Sequence, residues 1–158
     1  DWSVIVLRYF NPIGCHPSGL IYEDPKSPEN IIPNIVNSIK NGKTFKIYGG
    51  NYNTFDGTCC RDYIHVIDLV NAHILALKIF KKNNYEVINI GTGSPYSVKQ
   101  LLNIFSKYLK KKIKFKVVGR RAGDVPVSYA CSKKSFKKLG WKPTKNIDTM
   151  CKDIIRII

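Results

Sequence analysis

The sequence predicts a mixed α/β fold built around one core. Three observations lead there. β-branched runs with strand character alternate with segments whose apolar residues repeat at helical spacing. The changes of period fall at Gly, Pro, Asn or Ser punctuation. At 158 residues and 44% hydrophobic, the chain can bury one ordinary core, whereas two domains would be cramped. No repeat, low-complexity tract or linker divides it.

The elements follow in order. Val4 to Leu7 reads as a buried strand, and Phe10 to Pro28, rich in Gly, Pro and Ser, as a long loop of the functional kind. From Asn30, Ile31, Ile32, Ile35, Val36 and Ile39 recur at helical spacing, with Pro33 in the tolerant first turn and Gly42 as the stop. Thr44 to Tyr48 is a short strand, and the loop GGNYNTFDGTCC leads into RDYIHV. Asp68 opens an amphipathic helix running to about Lys82, and Val87 to Ile90 returns as strand. Ser97 with Gln100 forms a capping box for a helix whose apolar face is Val98, Leu101, Leu102, Phe105 and Leu109. Phe115 to Val118 is strand, RRAGDVPVS is loop, and Ser132 caps a short helix ended by Gly140. A last helix runs from Ile147 to Ile158.

A net charge of +15 invites a nucleic-acid reading. The lysines, however, fall in short clusters such as Lys81 and Lys82, Lys110 to Lys112, or Lys137 and Lys138. Those clusters end apolar-periodic segments, where cations suit the helix dipole and water, so a solvated face is the better explanation. No apolar stretch approaches the roughly 20 residues that span a bilayer, and no secretory leader pattern is present, so no membrane partner is expected. Five cysteines, Cys15, Cys59, Cys60, Cys131 and Cys151, contain no CxxC and form no zinc or disulfide framework, which suits a reducing cytoplasm. The chain opens on Asp1 with an apolar run leading straight into RYFNP, which reads as a cut end.

Several motifs are weighed and set aside. INIGTGSPYSV resembles a dinucleotide fingerprint, but Tyr96 stands where a small residue is needed and no acidic residue follows about 20 positions on. Gly91 and Gly93 are therefore expected to make a turn. A Tyr-x-x-x-Lys pair on one helical face would make a base of lowered pKa. Tyr22 with Lys26 is interrupted by Pro25, and Tyr108 with Lys112 sits at the lysine-crowded end of a surface helix, so neither is expected to act. His16, His65 and His73 lack metal spacing and no metal is predicted. Cys59 and Cys60 read as small hydrophobes.

What remains is a set of loops carrying arginine beside aromatic and amide groups: RYFNP, the start of the Asn30 helix, Tyr48 through RDY, and RRAGD. Such parts suit a nucleotide diphosphate. Arginine offers a fixed fork of donors to phosphate oxygens, helix N-termini add backbone donors, and a carboxylate can accept from ribose hydroxyls.

The succession LRYFNPIGCHPSG, IYEDP, ENIIP, IYGGNYNTFDGTCCRDYIHVIDL, INIGTGSPYSV, VVGRRAGDVP and LGWKP resembles the second half of UDP-glucose 4-epimerases, in the extended short-chain dehydrogenase/reductase class, across essentially the whole chain. The resemblance implies that residues 1–158 are the UDP-sugar-binding carboxy-terminal region of an NAD-binding, Rossmann-type enzyme whose amino-terminal Rossmann half is missing. It implies that Asn11 bonds the substrate near its sugar and diphosphate, that Asn30 and Ile31 contact the nucleotide, and that Ile47 and Tyr48 flank the uracil. Arg61 and Arg121 would clamp the diphosphate, Tyr63 and Val98 would line the same pocket, and Asp124 would hold ribose. Tyr9, Phe10 and Pro12 would lie at the nicotinamide end of NAD.

In that family hydride passes from sugar C4 to NAD and returns to the other face of a 4-keto sugar, interconverting UDP-glucose and UDP-galactose in galactose metabolism. The intact enzyme would be a cytoplasmic homodimer. The tyrosine base and glycine-rich NAD loop would belong to the missing half, so no catalytic residue is expected here. Ala122, Ile13 and Cys15 depart from the family pattern. Ser128, at a position where the family carries either a bulky tyrosine or a small residue, would leave room for an N-acetyl group on the sugar. Two other readings stay open: a nucleotide-sugar dehydratase or decarboxylase of the same class, and a basic nucleic-acid-binding module.

Overall fold

A computed structural model describes residues 2–23, 30–81 and 85–158. Its strands are β1 (Val4–Tyr9), β2 (Asn11–Ile13), β3 (Phe45–Tyr48), β4 (Cys60–His65), β5 (Tyr85–Ile90), β6 (Pro95–Ser97), β7 (Phe115–Val118) and β8 (Val127–Ser128). Its helices are α1 (Ile31–Lys40), α2 (Val66–Lys78), α3 (Val98–Leu109), α4 (Lys133–Leu139) and α5 (Ile147–Ile155).

The mixed α/β expectation holds. β1 pairs in parallel with β5, with Arg8 opposite Asn89 and Tyr9 opposite Ile90. β4 lies between β2, parallel to it, and β6, antiparallel, and also pairs in parallel with β8. β3 and β7 form a separate parallel pair. The larger core gathers Ile35, Ile47, Tyr63, Leu101, Phe105 and Met150 from α1, β3, β4, α3 and α5. A smaller one packs Ala72 and Ala76 of α2 against Ile88, Ile90, Ile64 and Trp141. These apolar stripes are the ones the helical spacing marks.

Several boundaries differ from the sequence reading, each for a physical reason. The run from Val4 continues as strand to Tyr9 and is half-exposed, because β1 has one neighbouring strand among the described residues. The long loop from Phe10 contains β2, whose three residues complete a ladder with β4. Arg61 to His65 of RDYIHV lie in β4, and its last residue, Val66, starts α2. Its N-cap is His65, whose Nδ1 accepts from the Ile67 amide at 3.0 Å. Asp68 is buried inside that helix, accepting from the Thr144 hydroxyl at 2.6 Å and the Lys145 amide at 2.9 Å. α2 ends at Lys78, ahead of the expected Lys82, which lies outside the described residues. β8 interrupts the RRAGDVPVS loop, and α5 stops at Ile155.

Both parts of the capping box are present: Ser97 Oγ accepts from the Gln100 amide at 3.0 Å, and Gln100 Oε1 accepts from the Ser97 amide at 2.9 Å. Gly140 ends α4 at φ 63, in the left-handed region where glycine is favoured. No helix among the described residues is long and apolar enough to cross a membrane.

Candidate functional site

Ten of the eleven residues expected at the substrate line one cavity of about 490 Å³. They are delivered by several pieces of local structure. α1 presents Asn30 and Ile31 at its amino end, while its opposite face packs Ile32, Ile35 and Val36 into the core. β3 alternates, so Phe45 and Ile47 are buried and Lys46 is exposed, with Tyr48 half-buried at the strand's end. β4 supplies Arg61 and Tyr63, and β2 places Asn11 directly opposite Tyr63. The capping box fixes Val98 as the first residue of α3, and the Val98 amide donates to the Cys59 carbonyl at 3.2 Å.

The arginines are held from within the site. Arg61 Nη1 donates to the carbonyls of Cys60 at 2.9 Å and Val125 at 2.8 Å, and Nη2 pairs with Asp124 Oδ1 at 3.1 Å. The Arg121 guanidinium lies over the Tyr48 ring, 3.8 Å from its centroid. Such contacts limit rotamer freedom before any ligand arrives, which lowers the ordering cost of binding one. Asn30 makes no side-chain cap; its amide nitrogen donates to Glu23 at 2.6 Å.

Ser128, the remaining expectation, lines a second, more open cavity of about 470 Å³. Tyr9, Phe10 and Pro12 line that cavity too, and Asn11 and Arg61 border both. The residues assigned to nucleotide and to cofactor thus fall into two spaces joined at Asn11 and Arg61.

The sequence reading missed Lys43 and Lys46, which line the first cavity, and Arg8 and Asn89, which line the second. It also missed the polar stripe of α1, where Asn34 and Ser38 follow Asn30 at four-residue intervals on the cavity side. Helical spacing carries that signal as plainly as the apolar stripe opposite. Arg8 gives a weaker signal, since only pairing across β1 and β5 reveals that its Nε donates to Asn89 Oδ1 at 3.0 Å.

The motifs set aside have other work. Thr92 and Gly93 donate their amides to the Asp62 carboxylate at 3.0 and 2.8 Å, so the glycine turn spends its donors inside the protein. Tyr108 donates to Asp148 Oδ1 at 2.5 Å, a bond that raises its pKa. Lys110 ends α3 in the left-handed region, which puts Lys112 beyond the helix. Tyr22 is exposed outside any helix, while Pro25 and Lys26 lie outside the described residues, as does Asp1. Burial pushes up the thiols of Cys59 and Cys60 and the phenol of Tyr63. None of these groups is poised as a base or nucleophile.

Among the described residues, no three His, Cys, Asp or Glu side chains gather as a metal site. His65 is satisfied by its capping bond and by Asp153 Oδ2 at 3.1 Å from Nε2.

Comparison with known proteins adds a family. Residues 1–91 match the NAD dependent epimerase/dehydratase family. The chain is 46% identical over 157 residues to the UDP-glucose 4-epimerase of Dictyostelium discoideum, covering 97% of this chain and 46% of that protein. It is 44% identical over 158 residues to the UDP-glucose 4-epimerase of Bos taurus, covering 98% and 45%. The crystal structure of UDP-glucose 4-epimerase from Bifidobacterium longum, in complex with NAD+ and UDP, superposes with a TM-score of 0.93 at 39% identity, covering 99% of this chain and 47% of that one. The chain therefore spans about half the length of the relatives it matches. With a matching family model over more than half its residues, and with the fold to go with it, this chain belongs to the NAD dependent epimerase/dehydratase family.

Proposed function

We propose that residues 1–158 are the UDP-sugar-binding carboxy-terminal half of an NAD-dependent UDP-glucose 4-epimerase, an isomerase interconverting UDP-glucose and UDP-galactose. The observation that carries this reading is the single cavity in which Arg61, Arg121, Tyr48, Asn30 and Asp124 meet.

Arg61 and Arg121 set two permanent positive charges against a diphosphate. Ile47 and Tyr48 give faces for the uracil, and the amino end of α1 adds backbone donors. Asp124 holds Arg61 through Oδ1, leaving its other oxygen to accept from ribose. Tight hold on the nucleotide, with few groups on the sugar, keeps a sugar that must turn over during the reaction.

Tyr9 and Phe10 lie at the carboxy end of β1, which is where parallel strands of α/β sheets take their ligands, and Pro12 of β2 lines the same cavity. They fit one wall of a nicotinamide site. NAD, when bound, supplies the reversible oxidation of the sugar carbon. The tyrosine base and the glycine-rich loop would come from an amino-terminal Rossmann half outside these residues, so this chain alone would bind without turning over. The complete protein would act as a cytoplasmic homodimer.

The half-buried Ser128 further suggests that the complete enzyme accepts UDP-N-acetylglucosamine and UDP-N-acetylgalactosamine. Assaying the complete protein with UDP-galactose tests the reading. UDP-glucose formation is expected, whereas loss of water or carbon dioxide from a nucleotide sugar would favour a dehydratase or decarboxylase of the same family.

A further inference from the structure

Asp62 lines neither cavity, yet it is completely buried between the two residues of β4 that do, Arg61 and Tyr63. Its carboxylate gathers four donors. Oδ1 accepts from the Thr92 amide at 3.0 Å and from the Thr92 hydroxyl, and Oδ2 accepts from the Gly93 amide at 2.8 Å and the Ala130 amide at 3.0 Å. The first three donors belong to the glycine turn after β5, and the fourth lies two residues beyond Ser128.

β8 is only two residues long, pairing Val127 with Cys60 and Ser128 with Arg61. Past Ser128 the ladder ends, and the Asp62 side chain takes the Ala130 amide, two residues on, that backbone pairing would otherwise leave. Gly91 shows how tight the junction is. A β-carbon there would stand 2.6 Å from the Ala130 β-carbon and 2.7 Å from Asp62 Oδ2. The turn and the segment carrying Ser128 are thus clamped together through one carboxylate.

We infer that Asp62 is a positioning residue, setting Ser128 and the open cavity at the sugar end of the site, with a smaller effect at the nucleotide end, which meets that cavity only at Asn11 and Arg61. The nucleotide end has its own supports in α1, β3 and the Arg121 contact with Tyr48. The inference rests on the functional reading above for what the cavity holds, but the clamp itself is geometric and separately measurable.

The test uses the complete protein carrying Asp62→Asn, with Gly91→Ala as a second route to the same junction. In the first variant an amide NH2 replaces one acceptor and meets donors. In the second a methyl group wedges the turn away from Ala130. Thr92→Val, which removes one donor on the side away from Ala130, is a milder third variant should the others not fold. Hydrogen exchange over residues 127–132 is expected to accelerate at least about tenfold in Asp62→Asn and Gly91→Ala, as the loss of a buried hydrogen bond implies. kcat/KM for UDP-galactose should fall about tenfold or more, while the Kd for UDP stays within about threefold.

Unchanged exchange over 127–132 in folded variants would overturn the inference. So would parallel losses of UDP affinity and turnover, which would make Asp62 a general structural residue. A wild-type protein that fails to bind UDP would instead sink the functional reading, and the exchange measurement would still decide the clamp.

Discussion

The guanidinium of Arg121 lies over the ring of Tyr48, 3.8 Å from its centroid, so the cation proposed for phosphate and the aromatic proposed for the base touch one another. A contact of this kind contributes about 0.5–2 kcal/mol, depending on how far it is desolvated. It also fixes the fork of a side chain that otherwise loses entropy on binding.

Arg121→Ala should therefore weaken UDP by roughly 10- to 100-fold, the range expected for a charge-assisted hydrogen-bonding pair. Lysine at that position should restore little, because an ammonium neither forks nor stacks in the same way. Tyr48→Phe should keep near-normal affinity and Tyr48→Ala should not. Titration calorimetry of the variants and their double combination measures the coupling, and strict additivity would show that the stack is idle.

The parts of this site that lie next to one another in sequence were legible from the start. RYFNP, RDY and RRAGD each announce chemistry, and the Ser97 capping box predicts where Val98 sits. What could not be read was pairing at a distance. Arg61 meets Asp124 across 63 residues, and Asp62 reaches Ala130 across 68, with no local pattern to mark either. β2, β6 and β8 are three, three and two residues long, too short to show a period, and exist because β4 offers them edges. The N-cap at His65 was missed because histidine is an unusual cap and Asp68 a familiar one.

The loop before β4 should be sensitive to acid. Burial raises the pKa of Asp56, but hydrogen bonds from Ser97 and Thr58 and the charge of Lys99 outweigh it, leaving the pKa below its ordinary value. A carboxyl depressed in the folded state adds stability above its unfolded pKa, and that stability is lost as pH falls through the folded value. Asp56→Asn should thus lower the thermal midpoint at pH 7, with the difference from wild type shrinking below about pH 4. Melting curves from pH 3 to pH 7, monitored by circular dichroism, check this, and a difference independent of pH would contradict it.

Ser97→Ala removes both the cap of α3 and a 2.5 Å bond to Asp56. A cap alone contributes about 1 kcal/mol, and the second bond adds a comparable amount. Denaturant unfolding should show a loss of about 2 kcal/mol with an unchanged m-value. Ser97→Thr, which keeps the hydroxyl, should recover most of it.

Ser128→Tyr should fill the cavity beside Tyr9 and Pro12. In the complete enzyme, turnover of the N-acetylated UDP-sugars should fall at least about tenfold relative to UDP-galactose, as lost room in a pocket implies. Equal effects on both substrate pairs, or no turnover of the acetylated pair by wild type, would remove Ser128 as a determinant of sugar size.

The central claim is that Arg61 and Arg121 grip a uridine diphosphate, and calorimetric titration of UDP into the complete protein tests it most directly. Binding in the micromolar range or tighter, near −8 kcal/mol or beyond, is expected for the wild type, with a fall of at least about tenfold in Arg61→Ala and in Arg121→Ala. No binding at millimolar UDP, or tighter and strongly salt-dependent binding of RNA in its place, would contradict it and turn attention to the +15 charge.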